Sequence, residues 1–234
     1  MVKTFVLLHG AWHGGWCWER VAEPLRARGH RVTCPTQTGV GERAHLISAD
    51  LTLETFGQDL LNHLRYEDLT DVVLVGHSFG GNALSIAAER VPERIASLIY
   101  LDSTLLAPGE RLVDTMSPGA LRDRVKAFEA SPDGIAIAPP PAEVFGVLDP
   151  ADKTWVEDRL TPHPISTMLS PLPISGTPGA GLPARYIACT DPLYHPTERV
   201  RSWAATLSCT PEDFATGHDA MVTAPAALVE LLDR

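Results

Sequence analysis

Gly76-His77-Ser78-Phe79-Gly80 sets a serine between glycines, with the apolar run Val72-Val73-Leu74-Val75 before it and a helix-compatible run from Asn82 after it. Serine in this setting suggests nucleophilic chemistry. The spacing fits G-x-S-x-G, a sharp and strained bend that lifts a serine between a buried strand and a helix. Glycines suit that bend because, lacking Cβ, they let strand and helix approach closely. The pentapeptide alone occurs by chance in many proteins. Context gives it weight here: the short β-branched run reads as a strand buried on both faces, and the helix ends at Val91-Pro92.

A serine hydroxyl is a poor nucleophile near neutral pH, so it needs a general base, and the base needs an orienting acid. Of the nine histidines, His218 is the candidate base. It lies in Ala215-Thr216-Gly217-His218-Asp219, after the last predicted strand and before the last helix, where the order Ser…acid…His places a base. His9 and His77 read as packing or loop-shaping residues, and His30, His45, His63, His163 and His195 as residues of surface helices, loops or an inserted segment. For the acid, chain order favours Asp191, which follows the strand Tyr186-Ile187-Ala188-Cys189-Thr190. Asp102 closes the strand after the serine bend and is the alternative. Asp219, beside the base, is not expected to orient its Nδ1. The oxyanion of an acyl intermediate calls for two amides, expected from Phe79 and from Ala11 in the loop after the first strand.

These groups have to be brought together by the rest of the chain. Residues 3–8 read as a first strand, and the loop 9–18 that follows is rich in glycine and tryptophan, suited to close approach of a ligand. Trp18, Val21 and Leu25 mark an amphipathic helix stopped at Gly29, and residues 31–34 a second strand. Leu53, Phe56, Leu60 and Leu64 give the next helix an apolar stripe. After the serine strand and its helix come an apolar strand over 95–101, a strand over 184–190, a helix near 197–207, a last strand within 208–214 and a final helix from Thr223. Strands alternating with helices predict a mostly parallel sheet covered on both faces, with ligands bound beyond the carboxyl ends of the strands. Residues 103–182, crowded with prolines and carrying helical patches over 121–128 and 152–160, read as a lid inserted into a core of residues 1–102 and 183–234. Within that lid and the first loop, Trp12, Leu105, Phe128, Trp155, Met168 and Leu169 are candidates to line an apolar substrate pocket.

Composition narrows the classes. With 44% hydrophobic residues over 234 positions, the chain can bury one large α/β core. No stretch approaches the length of a membrane span, and the apolar N-terminal patch is too short for a signal peptide. A net charge of −10 argues against nucleic acid and anionic membranes as partners. Cys17, Cys34, Cys189 and Cys209 show no C-x-x-C spacing and read as reduced thiols of a cytoplasmic protein. No metal-ligand spacing stands out, so neither metal nor cofactor is expected.

Three segments carry a resemblance. His9-Gly10-Ala11-Trp12-His13-Gly14-Gly15-Trp16-Cys17-Trp18, Gly76-His77-Ser78-Phe79-Gly80-Gly81 and Gly217-His218-Asp219-Ala220-Met221 resemble the first-loop, serine-bend and base-loop motifs of the plant methylesterase and hydroxynitrile lyase branch of the α/β-hydrolases, to which bacterial carboxylesterases also belong. The resemblance implies the α/β-hydrolase fold with a lid insertion. It is faint across 103–182. Lyases of the branch carry threonine directly after the first histidine and lysine after the catalytic one; Gly10 and Asp219 stand there, which points away from cyanohydrin cleavage. Relatives often have a Thr-x-Asp arrangement where Asp191 here follows Thr190 directly. The expected function is a serine carboxylesterase acting on a small, largely apolar ester through an acyl-enzyme, its partner that small molecule, with a homodimer admitted. A thioesterase or acyl-transferring, cyclising enzyme and a non-catalytic small-molecule receptor on the same fold are the alternatives.

Overall fold

A computed structural model describes residues 1–195 and 197–234. Its chain order begins with β1 (Thr4–Leu8), α1 (Glu19–Ala27), β2 (Arg31–Thr33), α2 (Leu53–Tyr66), β3 (Val72–His77), α3 (Gly81–Arg90) and β4 (Ile95–Leu101). The long connection that follows holds α4 (Pro118–Glu129), β5 (Ala136–Ile137), α5 (Pro150–Glu157), β6 (His163–Pro164) and α6 (Ile165–Leu169). β7 (Ala184–Cys189), α7 (Thr197–Thr206), β8 (Glu212–Phe214), α8 (Ala220–Thr223) and α9 (Pro225–Leu232) complete the chain.

Six strands form one sheet in the order β2-β1-β3-β4-β7-β8, every neighbouring pair parallel. Such a sheet is covered on both faces, which is why its strands read as continuous apolar runs. Phe5 to Leu8 and Leu98 to Leu101 are buried throughout. The apolar stripe of α2 is buried as its spacing required, and α2 packs on α3 while α1 packs on α9. The expected helix-flanked parallel sheet is therefore present, with strand ends within a few residues of those read from the sequence. β5 and β6 form a separate antiparallel pair inside the long connection, with α5 between them in sequence.

The strand order reverses between β1 and β3. A crevice opens at such a switch point beyond the carboxyl ends of the strands, where loops diverge to opposite faces. Register then levels the loop residues. His77 of β3 pairs with Leu101 of β4, so Ser78 and Asp102 leave the sheet at the same height. No helix among the described residues is long and apolar enough to cross a membrane.

Close approach at the bend has one strict requirement. A Cβ built on Gly80 would lie 2.4 Å from the His9 carbonyl oxygen, backbone against backbone, although Gly80 itself has a helical φ of −61°. The restriction is steric rather than conformational. Gly80→Ala is expected to lower stability by about 1–3 kcal/mol, where an unobstructed helical glycine would gain from the exchange. Thermal unfolding of the two proteins checks this, and an unchanged or raised Tm would show that the two loops can separate.

Candidate active site

Ser78 follows β3 directly and holds φ at 52°, in the left-handed region that L-residues avoid. Asp102 after β4 (φ 43°) and Trp12 after β1 (φ 66°) share that conformation. Three strained residues at three adjacent strand ends mark one place, since such strain persists only where the surroundings over-determine it. A cavity of about 770 Å³ opens there, with Ser78, Ala11 and Phe79 in its wall beside Trp12 and Met168.

His218 lies in the loop between β8 and α8, buried, with Nδ1–H donating to Asp102 Oδ2 at 2.6 Å. The other carboxylate oxygen of Asp102 accepts from the Cys189 amide at 3.2 Å. Burial pushes the Asp102 carboxyl up and the His218 imidazole down, so the ring is neutral near pH 7, the form a base needs. Tyr194 stacks on this ring, centroids 3.8 Å apart and planes within 18°.

The acid position favoured by chain order is not the one the fold brings to the histidine. Asp191 is exposed. Its amide donates to the Thr216 carbonyl, as that of Thr190 does to Phe214, so the strand pairing continues past β7 and carries Asp191 away from the site. The same loop then returns two rings instead of a carboxylate. Tyr194 covers His218, and His195 Nε2–H donates to the Asp102 carbonyl at 3.0 Å.

Other expectations also shift. Trp12 and Met168 line the cavity, but Leu105 lines a neighbouring cavity of about 490 Å³. Trp155 packs edge-on against Trp16 between Arg20 and Arg159. Phe128 is half-buried against the core, outside the cavity wall, and Leu169 is exposed. Arg124 and Trp203 stand in the wall where Phe128 and Trp155 were expected. His163 is buried rather than superficial: its Nδ1 accepts from the Trp12 amide at 3.3 Å, and Nε2 meets Thr167 Oγ1 at 2.9 Å. His195 is likewise half-buried, and burial holds its pKa down at about 4.

A second carboxylate lies beside the first pair. Asp219, fully buried, meets His13 Nε2 at 3.0 Å, while His13 Nδ1 meets the Ala11 carbonyl at 2.8 Å. Both ring nitrogens of His13 thus face acceptors, and the ring donates at both as an imidazolium. Burial alone would depress its pKa, but the Asp219 carboxylate outweighs it and the net shift is upward. His77 Nε2–H donates to the His218 carbonyl at 3.0 Å. His13 stood inside a singled-out segment of the sequence, but only the fold reveals its partner.

Asp102, His195 and His218 offer donor atoms within 4.8 Å of one another, as a metal site would need. Those of Asp102 and His218 are engaged with each other, and His195 Nε2 with a carbonyl. The set serves hydrogen bonds.

The model of the alpha/beta hydrolase family matches residues 5–231. A carbendazim hydrolyzing esterase of Nocardioides sp. (strain SG-4G) is 40% identical over 244 residues, covering 99% of this chain and 98% of that one. A putative chloroplastic methylesterase 14 of Arabidopsis thaliana is 38% identical over 120 residues, 50% of this chain and 34% of its own. Among solved structures, an extracellular alpha/beta-hydrolase from a Paenibacillus species superposes with a TM-score of 0.87 at 23% identity, covering 98% of this chain and 97% of that one.

Proposed function

The chain belongs to the alpha/beta hydrolase family and is an enzyme of the carboxylic ester hydrolase class, and from that premise we propose that it is a serine carboxylesterase working through Ser78, His218 and Asp102. The observation that carries this reading is the 2.6 Å contact of His218 Nδ1 with Asp102 Oδ2, at strand ends level with a strained Ser78. With Nδ1 engaged as donor, Nε2 is the nitrogen left to act as base. His218 takes the Ser78 proton, and Ser78 Oγ attacks the ester carbonyl. The amides of Ala11 and Phe79 stabilise the oxyanion, which collapses as His218 returns the proton to the departing alcohol. Water, activated by the same imidazole, then hydrolyses the acyl-enzyme.

Residues 103–182 act as the lid in this reading. They connect β4 to β7 and supply Leu112, Met116, Arg124 and Met168 to the cavity wall. A cavity of about 770 Å³ suits a small molecule, and its wall sets polar side chains among aromatic and aliphatic ones, as a site for a small ester does. All four cysteines are free, which fits a reducing, cytoplasmic setting.

The reading is tested by labelling with a fluorophosphonate, which reacts with activated serines, and locating the adduct by mass spectrometry. Modification of Ser78 is expected, absent in Ser78→Ala and at least ~10³-fold slower in His218→Ala, because these groups act as a unit. A folded protein that stays unlabelled would overturn the hydrolytic role and leave a receptor.

A further inference from the structure

Arg124 is the feature of this cavity that an apolar ester does not explain. Its guanidinium sits in the cavity wall with Ser78, contributed by α4. It lies over the Trp12 ring, 5.3 Å from the centroid. Among the described residues it makes no hydrogen bond and no ion pair. Arg199, the other cation of the wall, differs: its Nη2 donates to the Thr115 carbonyl at 2.5 Å, and its guanidinium lies over Trp203. The one acidic residue of the wall, Glu198, is exposed.

The contact with Trp12 is a cation–π one, in which the ring accepts no conventional hydrogen bond. The five N–H donors of the guanidinium are therefore without an acceptor among the described residues. A half-buried guanidinium without an acceptor is costly, and burial lowers its pKa, though not far enough to remove the charge. The planar fork matches a carboxylate in a bidentate arrangement. Net charge does not oppose this. The −10 of the whole chain is screened over about 10 Å at ordinary ionic strength, whereas Arg124 lines the cavity itself.

We infer that Arg124 selects esters bearing a carboxylate, so that the substrate class of this site is the monoester of a dicarboxylic acid or a hydroxy acid acylated on its hydroxyl. This rests on the esterase reading above and refines it: Ser78 attacks the ester carbonyl, while Arg124 holds the anionic end of the same molecule beside Trp12.

Binding separates the inference from turnover. Calorimetry on Ser78→Ala with methyl hydrogen glutarate, methyl hydrogen adipate and acetoxyacetate, each against its neutral counterpart (methyl pentanoate, methyl hexanoate, ethyl acetate), samples carboxylates on both sides of the ester. At least one anionic probe is expected to bind about tenfold or more tightly than its counterpart, the size of one charge-assisted contact. Adding Arg124→Met should bring that ratio to near one, and Arg124→Lys should restore part of it. Fluorophosphonate labelling of Ser78 in the single Arg124→Met protein confirms that its site is intact. Equal binding of every pair, or a preference that survives Arg124→Met, would overturn the inference. Arg124-dependent binding by a protein whose Ser78 fluorophosphonate leaves unlabelled would instead overturn the esterase reading and leave the anion site standing.

Discussion

Asp102→Asn is expected to lower kcat/KM on an ester by about 10³–10⁴-fold, whereas Asp191→Asn should change it by no more than about twofold. The first loss follows from what each carboxylate oxygen does. One accepts from the Cys189 amide and the other from His218 Nδ1. Asparagine has a single acceptor oxygen. If that oxygen keeps the Cys189 amide, the NH₂ group faces Nδ1 and the imidazole must place its proton on Nε2. A ring in that tautomer cannot take a proton from Ser78. If the amide turns the other way, an NH₂ group faces the Cys189 N–H, donor against donor in a buried site, at a cost of about 1–3 kcal/mol. Asp191 is exposed and outside this arrangement, so its charge is lost to solvent with little consequence. Steady-state kinetics of the two variants decide the matter. The reverse ranking would return the orienting role to Asp191.

Why the sequence pointed to the wrong loop for that contact is physically specific. The serine bend is a local event: a β-branched run, glycines and a helix start lie within about a dozen residues, and each states its own geometry. The histidine loop is nearly as local, fixed by its place between the last strand and the last helices. The partner of His218 is different, because it depends on register between strands far apart in sequence. His77 pairs with Leu101 and so levels Ser78 with Asp102. Extended pairing past β7, through the Thr190 and Asp191 amides, carries Asp191 outward and turns Tyr194 and His195 back over the site. Neither hydrogen-bond register nor loop return is written in composition or periodicity. The core strands and helices were legible because burial imposes a period on them. The pocket was not. Trp155 of the inserted segment and Trp203 of α7 look alike in the sequence, and only tertiary packing sends one to Trp16 and the other to the cavity. His163 likewise reads as a residue of a proline-rich surface segment, until the small β5–β6 strand pair brings it against Trp12.

His13→Ala is expected to destabilise the fold by about 3–5 kcal/mol, because it strands the buried Asp219 carboxylate. The pair joins the two loops that frame the serine: His13 Nδ1 donates to the Ala11 carbonyl, and Nε2 to the residue beside His218. If the cost lies in the orphaned charge, the double variant His13→Ala, Asp219→Ala should be less destabilised than the sum of the two single ones, a coupling that unfolding measurements on the four proteins read directly. The pH dependence gives a second check. His13 is raised in the folded state, so its contribution is whole below its unfolded pKa of about 6.5 and is lost as pH rises through the folded value. Asp219 is lowered: burial opposes its ionisation, but the His13 imidazolium prevails, and its contribution is whole above about 3.8. The stability gap between the unsubstituted protein and the double variant should therefore narrow as pH rises from 6.5 to 9. His9, His163 and His195 act with the opposite sign. Burial holds them near 4, 3 and 4, so the unfolded chain takes up their protons first and stability falls as pH drops from 6.5 toward 4. That acid loss grows below pH 6.5, and the comparison of the two proteins is therefore made above it. A gap that stays constant or widens between pH 6.5 and 9 would show that His13 is neutral in the fold, and the pair would then be a simple hydrogen bond.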